Sequence, residues 1–446
     1  MSLREFTRMV IGVALLLAPR AVLAQVTQGQ GGTASNIPVL ASGLMPPVTP
    51  SDAEAPTNVF EGSLLVGANY DDSAVLNAVP REWDVDYSVQ PQISFDETRP
   101  RIYWGLLYSP GIQISQRLLY RNLFSQKFGG HFVWQTTPHG SLSAQQYYSV
   151  TTNPFEDIGS TSPGPIIGPN TTIYIPNVKQ TWLMSHALYS YQSSAQTTMG
   201  VGGSYELQKF DSIPDSGPTT DLIHTQVASA EAFISHRITP RNQLGVQYGL
   251  QVIKFPQADA RTTTHTFLVF DQMNLSAQTS ITLYGGPEYS LTFNQVALNL
   301  GFVIITIPVN ATGWSEAGGV MYNWTGNRLA AAINFSRGIS YGGGLVGAVE
   351  LTSGSAKLAW QLTRNWGLTS TIAGADDQLL SVNSGNNDLR SYSAQVGLRR
   401  QLWRDVGIRW YYERLNQTGS IDGLSVGNRD IFGVTLEYSF LKPLGG

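Results

Sequence analysis

The sequence predicts an all-β fold: a single closed antiparallel transmembrane β-barrel of 16 to 18 strands, with short turns at one end and long loops at the other. Three observations predict it. Runs of 10 to 14 residues follow one another from position 62 to 440 with no competing helical period, against about 5 to 6 residues for a typical soluble strand. Short polar turns alternate with long Gly/Asn/Asp/Ser-rich connections, the loop asymmetry of barrels that cross membranes. Six of the ten tryptophans, Trp104, Trp134, Trp324, Trp360, Trp366 and Trp403, lie within a few residues of a short turn, the level at which an aromatic girdle meets the bilayer surface.

The chain begins MSLREFTRMVIGVALLLAPRAVLAQ. Arg4 and Arg8 precede the apolar stretch from Val10 to Ala18, and Val22, Leu23 and Ala24 make a small-residue cleavage site, so residues 1–24 read as a secretory signal peptide. Residues 25–61, rich in Gly, Ser, Thr, Pro and Ala, read as a flexible periplasmic tail. The barrel is expected over 62–440, with 441–446 as a C-terminal extension. There is no cysteine, which removes disulfides and thiolate metal sites. The 27 Lys and Arg stand against 31 Asp and Glu, and without residues 1–24 the count is 24 against 30, so no basic footprint for nucleic acid exists. Charged residues are only 13% of the chain, about half the usual share, as suits a surface that meets lipid.

Taken in order, eight short turns organise the strands: 96–100, 137–140, 193–196, 238–243, 274–278, 324–328, 362–366 and 402–406. ISHRITPRNQLGVQYGLQ and LRRQLWRDVGIRWYYER show the recurring unit of strand, tight polar turn and strand. Eight hairpins and a lone strand at each end, 62–72 and 429–440, make 18 strands with both ends on the short-turn side. The hairpin at 291–314 is the least regular, because LNLGFVIITIPV could be a loop strand, a wall strand or an extra one.

Alternation assigns the faces. In DVDYSVQPQISF (84–95) a polar residue alternates with an apolar one throughout, and in a barrel the polar set faces the interior. The same parity puts Asp84, Asp86, Gln90, Gln92, Glu206, Gln208, Glu231, Lys357, Gln361, Arg399, Arg409, Glu413 and Glu437 in the lumen. Their mixed signs form no ring of one charge. Pro91 conflicts with this frame, because a closed barrel has no free edge on which to place a missing N–H. A bulge or a broken ladder bond is expected there.

The last strand carries a resemblance. FGVTLEYSF (432–440) sets Phe432, Val434, Leu436, Tyr438 and Phe440 on one face and resembles the aromatic-ending terminal strand of Gram-negative outer-membrane β-barrel proteins, in particular the putative β-barrel porins. The resemblance implies insertion by the barrel-assembly machinery, with Tyr438 and Phe440 as the matching positions. LKPLGG after the final Phe departs from the family pattern, as does the spacing of Gly433.

Chemistry-bearing motifs are sparse. GLSVG around Ser425 matches G-x-S-x-G but lies between two strands, where no nucleophile elbow forms. GGGLVG (342–347) matches a dinucleotide fingerprint without a helix to follow it and reads as a flexible loop. The six histidines show no metal-ligand spacing, and neither a metal nor a cofactor is expected. His131 and Ser425 could form a catalytic pair only if the fold joined them, and Asp71 with Asp72 or Asp376 with Asp377 could hold a divalent cation at the surface.

The expected function is an outer-membrane channel, not an enzyme, passing small hydrophilic solutes or saccharides, with the 153–172 loop as a constriction. Export of a secreted polysaccharide and a surface enzyme or adhesin are the alternatives. Outer-membrane lipid and the assembly machinery are the expected partners, and the oligomeric state is open.

Overall fold

Period-two alternation across every run leaves each strand with one apolar and one polar face, and closing the sheet on itself is what gives both faces a suitable surrounding. In the computed structural model the described residues are 58–74, 81–118, 123–151, 178–212, 222–299, 304–344, 347–380, 389–421, 424–425 and 428–443. They form β1 (Val59–Asp71), β2 (Asp84–Arg99), β3 (Ile102–Ser115), β4 (Leu123–Thr137), β5 (Gly140–Thr151), β6 (Val178–Gln192), β7 (Thr197–Ser212), β8 (Thr225–Thr239), β9 (Asn242–Phe255), β10 (Ala260–Ser276), β11 (Thr279–Asn299), β12 (Ile304–Thr325), β13 (Leu329–Ser340), β14 (Val349–Thr363), β15 (Trp366–Leu379), β16 (Leu389–Trp403), β17 (Val406–Ile421), β18 (Leu424–Ser425) and β19 (Asn428–Pro443). Every wall strand pairs antiparallel with its sequence neighbour, β17 pairs with β19, and β1 pairs with both β2 and β19. The result is a closed barrel of 18 wall strands, with β18 a two-residue addition to β17 in the outer connection.

All eight short turns are present, and seven of them are tighter than the sequence motif around them; the turn at 193–196 spans its whole motif between Gln192 and Thr197. The turn in 96–100, for example, is made by Pro100 and Arg101, because Asp96 to Arg99 continue β2 against β3. The 291–314 segment is wall and loop together: β11 and β12 run 21 and 22 residues and pair along their whole length, so the hairpin extends past its neighbours. The barrel is longer than expected at both ends. Val59, Phe60 and Glu61 pair with Pro443, Lys442 and Leu441, which moves the last three residues of the expected tail and half of the expected extension into the wall. The ladder continues because each terminal strand supplies the other's partners. Residues 1–57, which include the expected signal peptide, lie outside the described residues.

The outward face is apolar. Val201, Phe267, Val269 and Ile372 are each more than half exposed, an area that only lipid covers without penalty. Trp104, Trp134, Trp324, Trp360 and Trp366 stand on it near the short turns, where Trp104 packs on Phe95 with ring centroids 4.7 Å apart and Trp366 stacks on Trp410 at 6.1 Å.

At Pro91 the ladder is broken without a bulge. β2 and β3 pair at Val89 with Ile112 and at Ile93 with Tyr108, in one unshifted register, and not between. That register sets Pro91 opposite Pro110, so two missing N–H groups fall on one rung. The Ser109 hydroxyl donates instead to the Pro91 carbonyl at 3.1 Å, and the Gln90 amide donates to Ser109 at 2.9 Å. On its other side Pro91 remains in register with Leu64 of β1.

Candidate functional site

The lumen is lined by the residues of inward parity, and its outer half is filled. Past Arg337, β13 leaves β12 while still pairing with β14 as far as Ser340 opposite Val349. The bend is held from the wall: the Ile339 N–H donates to Glu288 Oε2 on β11 at 2.9 Å, and the Thr266 hydroxyl of β10 donates to Glu288 Oε1 at 2.9 Å. The chain then makes a 3-10 turn at Gly342–Gly344, whose φ angles of 62°, 55° and 116° belong to the left-handed region that glycine alone adopts cheaply. A side chain at Gly344 would press on Leu222 at 3.2 Å and Phe210 at 3.3 Å.

This segment reaches across the lumen to β6, β7 and the chain ahead of β8. The Tyr341 hydroxyl donates to Glu206 Oε1 on β7, and the Trp182 indole N–H of β6 donates to the same oxygen at 2.6 Å. The Ile223 N–H ahead of β8 donates to the Gly344 carbonyl at 3.0 Å. β7 and β13 are six strands apart in the wall, so these bonds cross the lumen. Apolar clusters cross with them: Val178, Phe210 and Leu222 pack with Val349, Leu351, Ala375 and Leu389. Ile253, Phe255 and Ala260 pack with Ile339, Tyr341 and Ala348.

The lumen-lining candidates divide by height. Asp84 accepts the N–H groups of Arg117 at 3.0 Å and Leu118 at 3.2 Å and so ties down the connection after β3. Asp86 accepts the Ser115 hydroxyl, Gln90 braces the proline rung, and Glu206 anchors the inward segment. Glu231 is held by His186 at 3.2 Å and by the Gln247 amide at 2.7 Å. Gln208 and Glu413 are buried, the latter accepting a Gln395 amide at 3.4 Å. Gln361 turns to the end of the barrel and donates to the carbonyls of Thr363 and Arg364 in the tight turn. Gln92, Lys357, Arg399, Arg409 and Glu437 are half-buried, with Arg399 3.1 Å from Glu437 and the Arg409 guanidinium 5.6 Å from the Tyr411 ring centre.

Several residues outside the candidate set do structural work. Tyr341, Trp182 and Glu288 hold the inward segment. Asp71 of β1 and Arg429 of β19 form a buried bidentate pair at 3.0 and 2.8 Å where the barrel closes. Gly433 leaves room for the Tyr411 ring, which a Cβ would meet at 2.2 Å, while the Tyr411 hydroxyl donates to Asn69 Oδ1 at 2.6 Å across the same seam. Tyr438 and Phe440 stand outward and exposed.

The motifs resolve differently. GGGLVG is no flexible loop at its glycines: Gly342, Gly343 and Gly344 are buried in the turn across the lumen, because positive φ and the missing Cβ let it lie against β7. Ser425 lies in a hairpin, with Ser425 opposite Ser420, and His131 faces Asp96 at 3.5 Å and Tyr103. Of the acidic pairs, Asp72 is engaged by Arg81 at 3.0 Å and Asp376 by Arg390 at 3.1 Å, besides Asp71 by Arg429. The 153–172 loop lies outside the described residues.

An even-stranded closed barrel with a lipid-facing apolar belt and both terminal strands on the short-turn side has the architecture of bacterial outer-membrane barrels. The chain is an outer-membrane β-barrel. No protein-family model matches it, and no curated protein matches it. Similar solved structures are the unliganded ferric citrate transporter FecA (11% identity, TM-score 0.44, 86% of this chain and 64% of that one), OccK2 (OpdF) of Pseudomonas aeruginosa (10%, 0.40, 86% and 98%) and OpdL of Pseudomonas aeruginosa (11%, 0.40, 86% and 99%). The barrel thus spans about two thirds of the length of FecA, and identities of this order bear on the fold alone.

Proposed function

We propose that the barrel is a porin-like channel for passive passage of small hydrophilic solutes or saccharides, and not an enzyme. The observation that supports this most is the inner half of the lumen, where Lys357, Arg399, Arg409 and Glu437 keep charged groups half-exposed on an inward wall. Charge on that face is costly unless water or a polar solute reaches it. On this reading the constriction is the inward segment at 341–344. Selectivity then comes from the mixed charges beneath it, which disfavour neither sign strongly. Assembly depends on the exposed aromatics of β19, Tyr438 and Phe440. The purified barrel in planar bilayers should give stable unitary conductance steps, and a flat trace would remove the channel reading.

A further inference from the structure

β9 and β10 are joined at the outer end by a turn of only four residues, 256–259. Lys254 and Arg261 flank it and stand directly opposite each other in the ladder. Both are exposed and lie on the outward face, Lys254 in parity with Leu244 and Val246, Arg261 in parity with Phe267 and Val269. Side chains directly opposite in an antiparallel pair have Cβ atoms about 4.5 to 5.5 Å apart, and like charges there are destabilising. Among the described residues neither cation has a carboxylate within ion-pair distance. The other titratable groups at this end are Asp259, exposed in the turn itself with φ 46°, and His224, which accepts the Phe210 N–H through Nδ1 at 3.2 Å.

Height decides what could neutralise the pair. Lys254 lies twelve residues above Asn242, the inner end of β9. At about 3.3 Å per residue and a tilt of roughly 45° that is a rise of about 28 Å, the span of the hydrocarbon layer. Below the cations the same face is apolar through Val246, Phe267 and Val269, with the Tyr248 hydroxyl and His265 Nδ1 paired at 2.8 Å between. Two unmatched cations therefore sit at the level of the outer-leaflet headgroups, directly above a surface made for acyl chains. We propose that Lys254 and Arg261 clamp a phosphate of an outer-leaflet glycolipid, whose acyl chains run down the belt over Val246, Phe267 and Val269. A phosphate bound between them turns a repulsive rung into two charge-assisted hydrogen bonds.

The test uses the full chain, folded in detergent micelles and titrated with bis-phosphorylated lipid A or its dephosphorylated counterpart, with retained lipid read by native mass spectrometry. The barrel should retain the phosphorylated lipid and not the dephosphorylated one. Lys254→Gln combined with Arg261→Gln should weaken retention by about tenfold or more, the scale of one or two charge-assisted bonds, while mobility on unboiled gels stays that of the folded barrel. Lys254→Arg should keep the affinity, which guards against a folding defect in the double variant. Equal retention by the double variant, equal retention of dephosphorylated lipid, or full displacement by inorganic phosphate at the lipid's own concentration would each overturn the proposal.

Discussion

Along β14 the inward face changes character within eight residues: Val349 and Leu351 are sealed in an apolar cluster, and Lys357 is half-exposed. β16 repeats it, with Leu389 buried at the outer end and Arg399 half-open toward the inner one. Both ends share one face, one parity and one ladder. The difference lies in what stands opposite: the inward segment and Leu222 cover the outer half, and nothing described covers the inner half. Inward therefore does not mean wet. Parity selects the face, and the segment that crosses the lumen decides how far along that face water can reach.

Substitutions should fall on the two halves unequally. The largest cost is expected in the outer half, where Arg429→Ala strips the buried Asp71 of its bidentate partner. A buried pair broken on one side costs about 3 to 5 kcal/mol, read as a lower urea midpoint for loss of the folded-barrel band. Tyr341→Ala should follow closely, since truncating a buried aromatic costs about 3 to 5 kcal/mol, and it should also raise unitary conductance by releasing the segment from Glu206. If stability falls and conductance does not change, the segment is packing and not a constriction.

The proline rung offers a change of opposite sign. Pro91→Val together with Pro110→Val restores two N–H donors facing each other, and at about 0.5 to 1.5 kcal/mol net per hydrogen bond the barrel should gain about 1 to 3 kcal/mol. Hydrogen exchange would show new protected amides at both positions. Unprotected amides would mean that the strands are separated there for a reason other than proline. The smallest stability effect belongs to the inner half: Lys357→Gln should change stability by no more than about 0.5 kcal/mol, yet shift the reversal potential in a salt gradient toward cations. A large loss of stability would place Lys357 in a packed interior and erase the contrast between the halves.

Much of this architecture is legible in the sequence because it depends on local rules. The eight tight turns, the period-two faces and the conflict at Pro91 are each properties of a few consecutive residues. What the proline does is less legible, since its partner Pro110 lies 19 positions away, and only the register puts both on one rung. The inward segment is harder still. Gly342, Gly343 and Gly344 announce a turn, but a turn in a long connection reads as a loop, and its anchor Glu206 is 135 positions from Tyr341. Alternation sorts Glu206 with Lys357 by face, yet carries no record of what crosses the lumen above one and not the other. Asp84 also accepts backbone N–H groups after β3, a contact set by loop geometry that parity does not contain.

The most direct test of a lumen open below and narrowed by the inward segment is single-channel recording of the native barrel beside Tyr341→Ala in planar bilayers. Discrete steps from the native barrel and larger steps from the variant are predicted. Silence from both, with each protein showing the mobility of a folded barrel, would contradict it.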